Sequence, residues 1–423
     1  MAVHEDRSRF IPYRKAEVVE LLCADGVLQG DDIPKFKSLV KMIESLYHFQ
    51  FHAKLENLKD LYFPFNPDSD VRTQRSYSPA QLSENSHALV ASLTEVLNDA
   101  NYERVPKAAI EEALEGVSLF NIKMFIDFDE YEECLIFARG EVTKRQSVKR
   151  MLFFKRELDV PTYERVALFV RFKGREHFTP KRLKQMKFEP GSTIVKLFKD
   201  IPKADLEMLF PNTEVRMKGK DKLMMGVPGV GGGVPVLIKV GASISPLFAV
   251  VFAALSGKNL GDENIVKAAI QGAVAVILLG GYLFRQWTAY KNKRIYFLKA
   301  LTDNLYFKNL DNNAGVFNHL IDSAEEEECK EAILGYYFLA TRGAATEAAV
   351  DDAIEEWFDK KHGVQIDFEV DDALGKLADL GLGREENGTW QVLPLDQACE
   401  RVDYIWDNFF QFNGAGAKDA APA

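Results

Sequence analysis

The stretch VPVLIKVGASISPLFAVVFAALS, residues Val234–Ser256, is the first of two apolar segments in the middle of this chain. The second, IVKAAIQGAVAVILLGGYLFRQW, covers Ile265–Trp287 and follows a short polar link, residues 257–264. Each segment has about 20 residues, the length of helix that crosses a hydrocarbon core roughly 30 Å thick. The pair therefore predicts a transmembrane helical hairpin that leaves both ends of the chain on one side of a bilayer.

Positive charges lie on the outer flanks of this predicted hairpin. Arg216, Lys218, Lys220 and Lys222 precede the first segment, and Arg285, Lys291, Lys293 and Arg294 follow or end the second. The positive-inside rule then places both termini in the cytoplasm. A buried core hairpin of a protein without membrane spans is the alternative, because Lys239 and Pro246 make the first segment only moderately hydrophobic.

Small side chains recur along both segments and predict close helix packing. They are Gly241, Ser245, Ala249 and Ala253 in the first segment, and Gly272 and Gly280 in the second. Two uses of this ridge stay open: a seam within one hairpin, or an interface of a homo-oligomer.

The composition excludes some classes of function. The chain has 423 residues, enough for two or three domains, and its formal net charge of −10 argues against a nucleic-acid partner. Its four cysteines show no CxxC spacing, so we expect reduced thiols. No nucleotide or hydrolase signature is present, and we expect no cofactor.

The N-terminal part is predicted to be helical over residues 33–61, where apolar residues recur at three- and four-residue intervals. Glu44, His48, His52 and Glu56 follow one another at four-residue steps along this helix. Two histidines at this spacing can share a metal ion, so the column is a candidate metal site. The alternative is an exposed, hydrogen-bonded column beside the apolar stripe, because the sequence places no further ligand.

An alternating pattern replaces the helical one from residue 121 onward. Runs at 122–128, 134–138, 148–158, 163–173 and 193–198 predict an antiparallel sheet of about four or five strands. A basic stretch lies within this region and would favour anionic lipid head groups. Its residues are Arg171, Lys173, Arg175, Lys181, Arg182, Lys184 and Lys187. A solvated basic face without a ligand is the alternative.

The C-terminal part resembles a winged helix in its predicted element order. Helices are predicted over 331–340, 346–362 and 370–381, and a hairpin over 382–393 that turns at Glu-Asn-Gly. From residue 322 onward there are about 8 Lys and Arg against about 24 Asp and Glu. Acids such as Asp371, Asp372 and Asp379 would repel phosphate, so we expect this domain to bind protein or its own chain and no DNA.

Residues 194–218 and 221–228, which lead into the glycine run before the hairpin, resemble an uncharacterised two-span membrane-protein family. It is a domain-of-unknown-function family that includes mitochondrial transmembrane protein 143. Residues 9–14 and 62–70 are similar to it too. The resemblance brings no established activity, but it implies the two-span topology and, for a chain without a transit peptide, a bacterial inner membrane.

Together these patterns predict an α+β membrane protein of five parts. They are a helical N-terminal region (1–120), an antiparallel sheet domain (121–222), a glycine-rich lead-in with the transmembrane hairpin (226–294), a winged-helix-like domain (320–412) and a disordered tail (413–423). The predicted function is a membrane-anchored interaction or regulatory protein. The alternatives are a subunit of an oligomeric channel or transporter and, less favoured, a membrane-bound metal-dependent enzyme.

Overall fold

The computed structural model describes residues 9–106, 108, 110, 123–151, 154–216 and 305–413, together with scattered positions between 263 and 295. The chain divides into two compact units. The first comprises Met1–Ala109, Phe128–Lys203 and Lys308–Ala423, and the second comprises Ile110–Asp127 and Ala204–Phe307. The first unit thus combines N-terminal, sheet and C-terminal residues that the sequence assigned to separate domains.

Three helices open the first unit: α1 (Lys15–Ala24), α2 (Asp32–Tyr62) and α3 (Pro79–Asp99). The predicted helix over 33–61 is confirmed by α2, which buries residues such as Phe36, Leu39 and Ile43 along one stripe. Ser78 starts α3 with a capping box: its side chain accepts a hydrogen bond from the Gln81 backbone N–H, and its own backbone N–H donates one to the Gln81 side-chain oxygen.

An antiparallel sheet follows, as predicted, but its strands match the predicted runs only in part. The runs at 134–138 and 193–198 each fall within one strand, as does the run at 163–173 except for its last residue. The run at 148–158 is divided between two strands, and the two short edge strands were not predicted. Its five strands are β1 (Glu103–Arg104), β3 (Tyr131–Met151), β4 (Phe154–Phe172), β5 (Thr193–Pro202) and β7 (Asn309–Asn312), in the order β1-β3-β4-β5-β7. A four-residue helix, α4 (Pro180–Leu183), lies in the connection between β4 and β5.

One face of this sheet joins the helical core. Leu135 pairs with Phe169, and Phe169 pairs with Val195, so apolar side chains lie beside one another across three strands. At the edge of this core the buried Tyr62 hydroxyl donates a hydrogen bond to the Thr193 carbonyl at 2.8 Å. The end of α2 is therefore fixed to the start of β5.

The C-terminal helices complete the first unit. They are α5 (Ala314–Arg342), α6 (Glu347–Trp357) with a π-helical extension (Phe358–His362), α7 (Val370–Asp379), α8 (Leu395–Asp407) and α9 (Phe409–Asn413). The hairpin β8 (Gly383–Glu386) and β9 (Thr389–Val392) follows α7, and Asn387 at its turn has a φ of +53°. This order matches the predicted elements, and the winged-helix-like assignment itself stays a prediction.

In the second unit the described strands are β2 (Lys123–Phe125) and β6 (Glu214–Arg216), which pair antiparallel. The sequence grouped the run at 122–128 with the main sheet, but β2 pairs only with β6 among the described strands. Alternation predicts that a strand exists and leaves its partner open, because many strand pairs satisfy the same pattern.

The transmembrane prediction requires correction. No helix within the described residues is both long and apolar enough to cross a membrane. The first predicted span, Val234–Ser256, lies outside the described residues, and the second, Ile265–Trp287, is described only at scattered helical positions. The longest described helices, α2 and α5, carry charged residues at short intervals and bury their apolar side chains in the core of the protein.

This finding contradicts the transmembrane hairpin, the integral-membrane fold class, and the location in a bacterial inner membrane with cytoplasmic termini. Those predictions are wrong. They depended on the length of the apolar segments and on the charges that flank them, both of which are read from the sequence alone. A span also needs sustained apolar character along one continuous helix.

Candidate functional site: a buried charge cluster

The middle of α5 carries an unusual run of charged residues, Glu325-Glu-Glu-Glu-Cys-Lys-Glu331. At 3.6 residues per turn such a run points around the whole helix, so some of these side chains must face the protein interior. Glu327, Lys330 and Glu331 are 0, 1 and 2% exposed. Charged side chains are almost never buried to this degree unless they are paired.

Lys376 on α7 supplies one set of partners. Its ammonium group lies 3.0 Å from a Glu328 carboxylate oxygen and 2.6 Å from an Asp372 oxygen, and it also contacts Glu331. Ligand oxygens of these three acids lie within 4.8 Å of one another. The lysine therefore holds together three carboxylates that would otherwise repel one another.

Lys330 forms a second pair on the same helix. Its ammonium group donates to the carbonyl oxygens of Ile11 at 2.7 Å and Tyr13 at 3.1 Å, and to Glu327 at 2.8 Å. These are three acceptors for the three protons of an ammonium group. The Ile11 backbone N–H in turn donates to Glu327 at 3.2 Å, so the N-terminal segment is bound to α5.

Asn101 links the cluster to the loop after α3. Its amide nitrogen donates to Glu331 at 3.0 Å and to the Arg9 carbonyl at 3.3 Å. Its φ of +58° lies in the left-handed region, which asparagine tolerates better than most residues. We call the set Glu327, Glu328, Lys330, Glu331, Asp372 and Lys376 the charge cluster.

Burial changes the protonation of the charge cluster. It raises the pKa of Glu331 to about 7 and the pKa of Glu328 to about 8, although the nearby Lys376 acts in the opposite direction. Burial would lower the pKa of Lys376, but the charges of Glu331, Glu328 and Asp372 raise it above its ordinary value. The lysine thus stays charged while the two glutamates titrate near neutral pH.

This geometry suits a clamp between distant segments of the chain. Glu328, Glu331 and Asp372 have the ligand type and spacing for a cation, but the ammonium group of Lys376 already occupies the space between them. The bonds connect α5 with α7 and with the N-terminal segment, which lie far apart in sequence. The cluster holds these elements in one arrangement.

The predicted histidine column lies on the exposed side of α2. His48, His52 and Glu56 are exposed, and Glu44 is half-buried. A His48 ring nitrogen lies 3.1 Å from Glu325, and Glu56 lies 3.0 Å from Lys59. Two members of the column thus have partners outside it, and its use as a metal site stays a prediction.

The structure separates the seven predicted basic residues into two groups. Arg171 pairs with Glu132 at 2.9 Å, and Arg182 makes two bonds of 2.5 and 2.9 Å with the buried Glu130. The other five are Lys173, Arg175, Lys181, Lys184 and Lys187, and we call them the basic loop. They are exposed or half-buried and make no ion pair within the described part of the chain.

Most of the predicted helix-packing ridge lies outside the residues that the structure describes. Gly241, Ser245, Ala249 and Ala253 lie outside the described residues. Gly272 is buried and Gly280 is exposed, and both are helical.

Sequence reasoning missed the charge cluster. The sequence did contain a signal for it. The acids and the lysine of residues 325–331 directly precede a helical stretch without charged residues, 332–341. A helix that is apolar around its circumference is buried, so charges in the adjoining turn are expected to be at least partly buried as well.

Comparison with known proteins identifies a domain of unknown function. A model for the family described as "Protein of unknown function (DUF3754)" matches residues 163–315. The chain contains a DUF3754 domain. This match begins within β4 and ends at the start of α5, so the charge cluster lies beyond it. No solved structure matches the chain.

Proposed function

We propose that this protein is a non-catalytic interaction or regulatory protein whose C-terminal domain binds a protein partner and does not read DNA. The proposal keeps the interaction role predicted from the sequence and leaves out the membrane anchor, which depended on the corrected hairpin. The channel or transporter alternative depended on the same hairpin. The enzyme alternative has only the exposed histidine column as support.

The orientation of α7 is the observation that carries this proposal. In a winged helix that reads DNA, the corresponding helix presents cations to the phosphate backbone. Here Lys376 points inward to Glu328 and Glu331, and the exposed side carries Asp371, Asp372 and Asp379. An acidic surface of this kind disfavours nucleic acid and leaves protein as the class of partner that fits.

DNA binding by the full chain tests this proposal. We expect no binding to random duplex DNA in fluorescence anisotropy between about 50 and 200 mM salt, since the exposed side of α7 offers no phosphate contact. A charge-reversed variant, Asp371→Lys with Asp379→Lys, should gain weak binding. Micromolar binding that weakens as salt rises and persists in the chain with Lys181→Glu and Lys184→Glu, which removes cations of the basic loop, would contradict the proposal.

A second candidate role concerns the basic loop, which we propose to bind anionic lipid head groups at a membrane surface. Its five cations lie in the connection between β4 and β5 and make no ion pair with another described residue. Such clusters are worth about 1 kcal/mol per residue near an anionic bilayer. This peripheral contact requires no helix that crosses the bilayer.

Vesicle co-sedimentation tests the role of the basic loop. The chain should bind vesicles that contain phosphatidylserine and should not bind vesicles of phosphatidylcholine alone. Lys181→Glu with Lys184→Glu should abolish binding, whereas Lys37→Glu and Lys59→Glu, at cations outside the loop, should not. Equal loss in both pairs would show that only the overall charge matters.

Two narrower predictions are proposed on sequence alone. One is a relationship to the family that includes mitochondrial transmembrane protein 143. It is supported by the resemblance of residues 194–218 and 221–228. Homo-oligomer formation is testable by light scattering of the purified chain, and a monomer mass at micromolar concentration would contradict it.

A further inference from the structure

An aromatic surface is exposed where α2 meets the last two helices. Phe49 is 50% exposed, Trp406 39% and Phe410 87%. The ring centroid of Phe49 lies 5.3 Å from that of Trp406 and 5.8 Å from that of Phe409, so the rings form one continuous patch. Contiguous exposed aromatic side chains are more frequent at interaction sites than on the rest of a protein surface.

An open groove continues this patch along α2. It is open to solvent and has a volume of about 370 Å³. The groove is lined by Ser38, Lys41, Met42, Ser45, Asp403 and Trp406. Trp406 belongs to both the patch and the groove, so the two form one surface between α2 and α8.

The rim of this surface on α8 is acidic. Glu400, Asp403 and Asp407 are exposed and occur at steps of three and four residues, which places them on one side of the helix. None of the three makes an ion pair with another described residue. Lys41 is the one cation among the groove-lining residues, so the rim and groove together are negative.

We propose that this aromatic–acidic groove binds a basic amphipathic helix of a partner protein. The inference rests on the proposed interaction function and names the class of its partner. An amphipathic helix binds such a groove by inserting apolar anchors at successive turns, and its Lys or Arg residues then lie against the acidic rim. Charge complementarity of this kind selects the partner and raises the association rate.

Two segments of this chain that could reach the groove fit it less well than such a helix. Residues 414–423, which follow α9, contain no aromatic or large aliphatic side chain. The basic loop of a second copy has the right charge, but its helix α4 is only four residues long and cannot present an apolar stripe over several turns. A partner with separate basic and apolar faces fits better.

A synthetic helical peptide of leucine and lysine, about 15 residues or roughly four turns long, is a suitable probe. Isothermal titration with the full chain should give micromolar affinity. Phe49→Ala and Asp403→Lys should each weaken binding at least about tenfold, because they remove a central anchor and reverse a rim charge. A leucine–glutamate peptide of the same length should not bind.

Matched variants separate the groove from the overall charge of the chain. Phe307→Ala removes an aromatic residue that is 72% exposed elsewhere, and Glu84→Lys reverses an exposed charge on α3. Both should leave the affinity within about twofold of the original. Equal effects of the groove and control variants, or equal binding of both peptides, would overturn the proposal.

Three further outcomes are distinguishable. Dimerisation in light scattering that is lost on Phe49→Ala would assign the groove to a second copy and would overturn the partner class named here. If the chain bound neither the peptide nor DNA, only this inference would be overturned. DNA binding that persists after Lys181→Glu with Lys184→Glu would overturn the proposed function itself.

Discussion

Replacing Lys376 by methionine should destabilise the protein strongly at alkaline pH and much less at acidic pH. The substitution keeps a similar volume and removes the only cation among the described residues that contacts Glu328, Glu331 and Asp372 together. Leaving buried charges without their partner typically costs about 3–5 kcal/mol. We therefore expect a loss in this range at about pH 8.

The magnitude follows from the cost of neutralising the two glutamates. Each has an ordinary pKa of 4.5, and holding a group protonated above its pKa costs about 1.4 kcal/mol per pH unit. With Lys376 present the pKa values are already raised to about 7 for Glu331 and about 8 for Glu328. Keeping Glu331 protonated at pH 8 therefore adds about 1.4 kcal/mol, and Glu328 adds less; the missing hydrogen bonds supply the rest of the expected loss. At about pH 6 both glutamates are mostly protonated already, because their pKa values are about 8 and about 7. The loss should then fall to about 1–3 kcal/mol, the cost of the missing hydrogen bonds.

Urea unfolding followed by circular dichroism at about pH 6 and pH 8 measures both values. Lys360→Met is the matched control, since Lys360 is 69% exposed and pairs with Glu356 at the surface of the same domain. It should leave the unfolding midpoint unchanged. Adding Glu328→Gln to Lys376→Met should recover part of the loss at pH 8. If Lys376→Met behaved like Lys360→Met at both pH values, the charge cluster would not be a clamp.

Three further predictions concern stability. The free energy of unfolding should fall as pH rises from about 4.5 to about 8. In this window the raised pKa values of Glu328 and Glu331 let the folded state bind more protons than the unfolded state. Glu328→Gln should make the free energy of unfolding depend less on pH. Tyr62→Phe should cost about 1–3 kcal/mol in urea unfolding, since it leaves the buried Thr193 carbonyl without this donor. Ser78→Ala should cost about 1 kcal/mol by removing the capping box of α3.

Each of these has a contradicting result. A stability that rises across the same pH window would reverse the sign argued for the two glutamates. A Tyr62→Phe variant as stable as the original would show that the hydroxyl bond is not formed in solution. For Ser78, an unchanged midpoint would mean that water replaces the cap.

The local elements of this protein could be predicted from its sequence. Apolar spacing of three and four residues predicted α2, and alternation predicted parts of β3, β4 and β5 but not the edge strands β1 and β7. The helices and the hairpin of the C-terminal part followed from glycine stops and a Glu-Asn-Gly turn. These patterns succeed because they act over one or two turns of chain, where steric and hydrogen-bonding preferences are local.

The wrong prediction of a transmembrane hairpin shows a limit of inference from local sequence patterns. Two apolar segments of spanning length suggested a bilayer, yet length and composition do not determine what an apolar residue contacts. In α2 and α5, which are not the predicted spans, apolar residues are buried against other parts of the same chain. Tertiary packing and lipid satisfy the same hydrophobic requirement, and the sequence pattern alone does not distinguish them.

The charge cluster was decided only by the tertiary structure. The sequence contains Glu325–Glu331 and Lys376, and acids on a helix are ordinarily assigned to its solvent side. Burial of Glu331 requires α7 and Asn101 to approach α5 from positions about 45 and 230 residues away. The sequence therefore determined which charges were present and on which helices they lie. Their pairing, their raised pKa values and their role as a clamp arise from contacts between segments far apart in the chain, which no local pattern encodes.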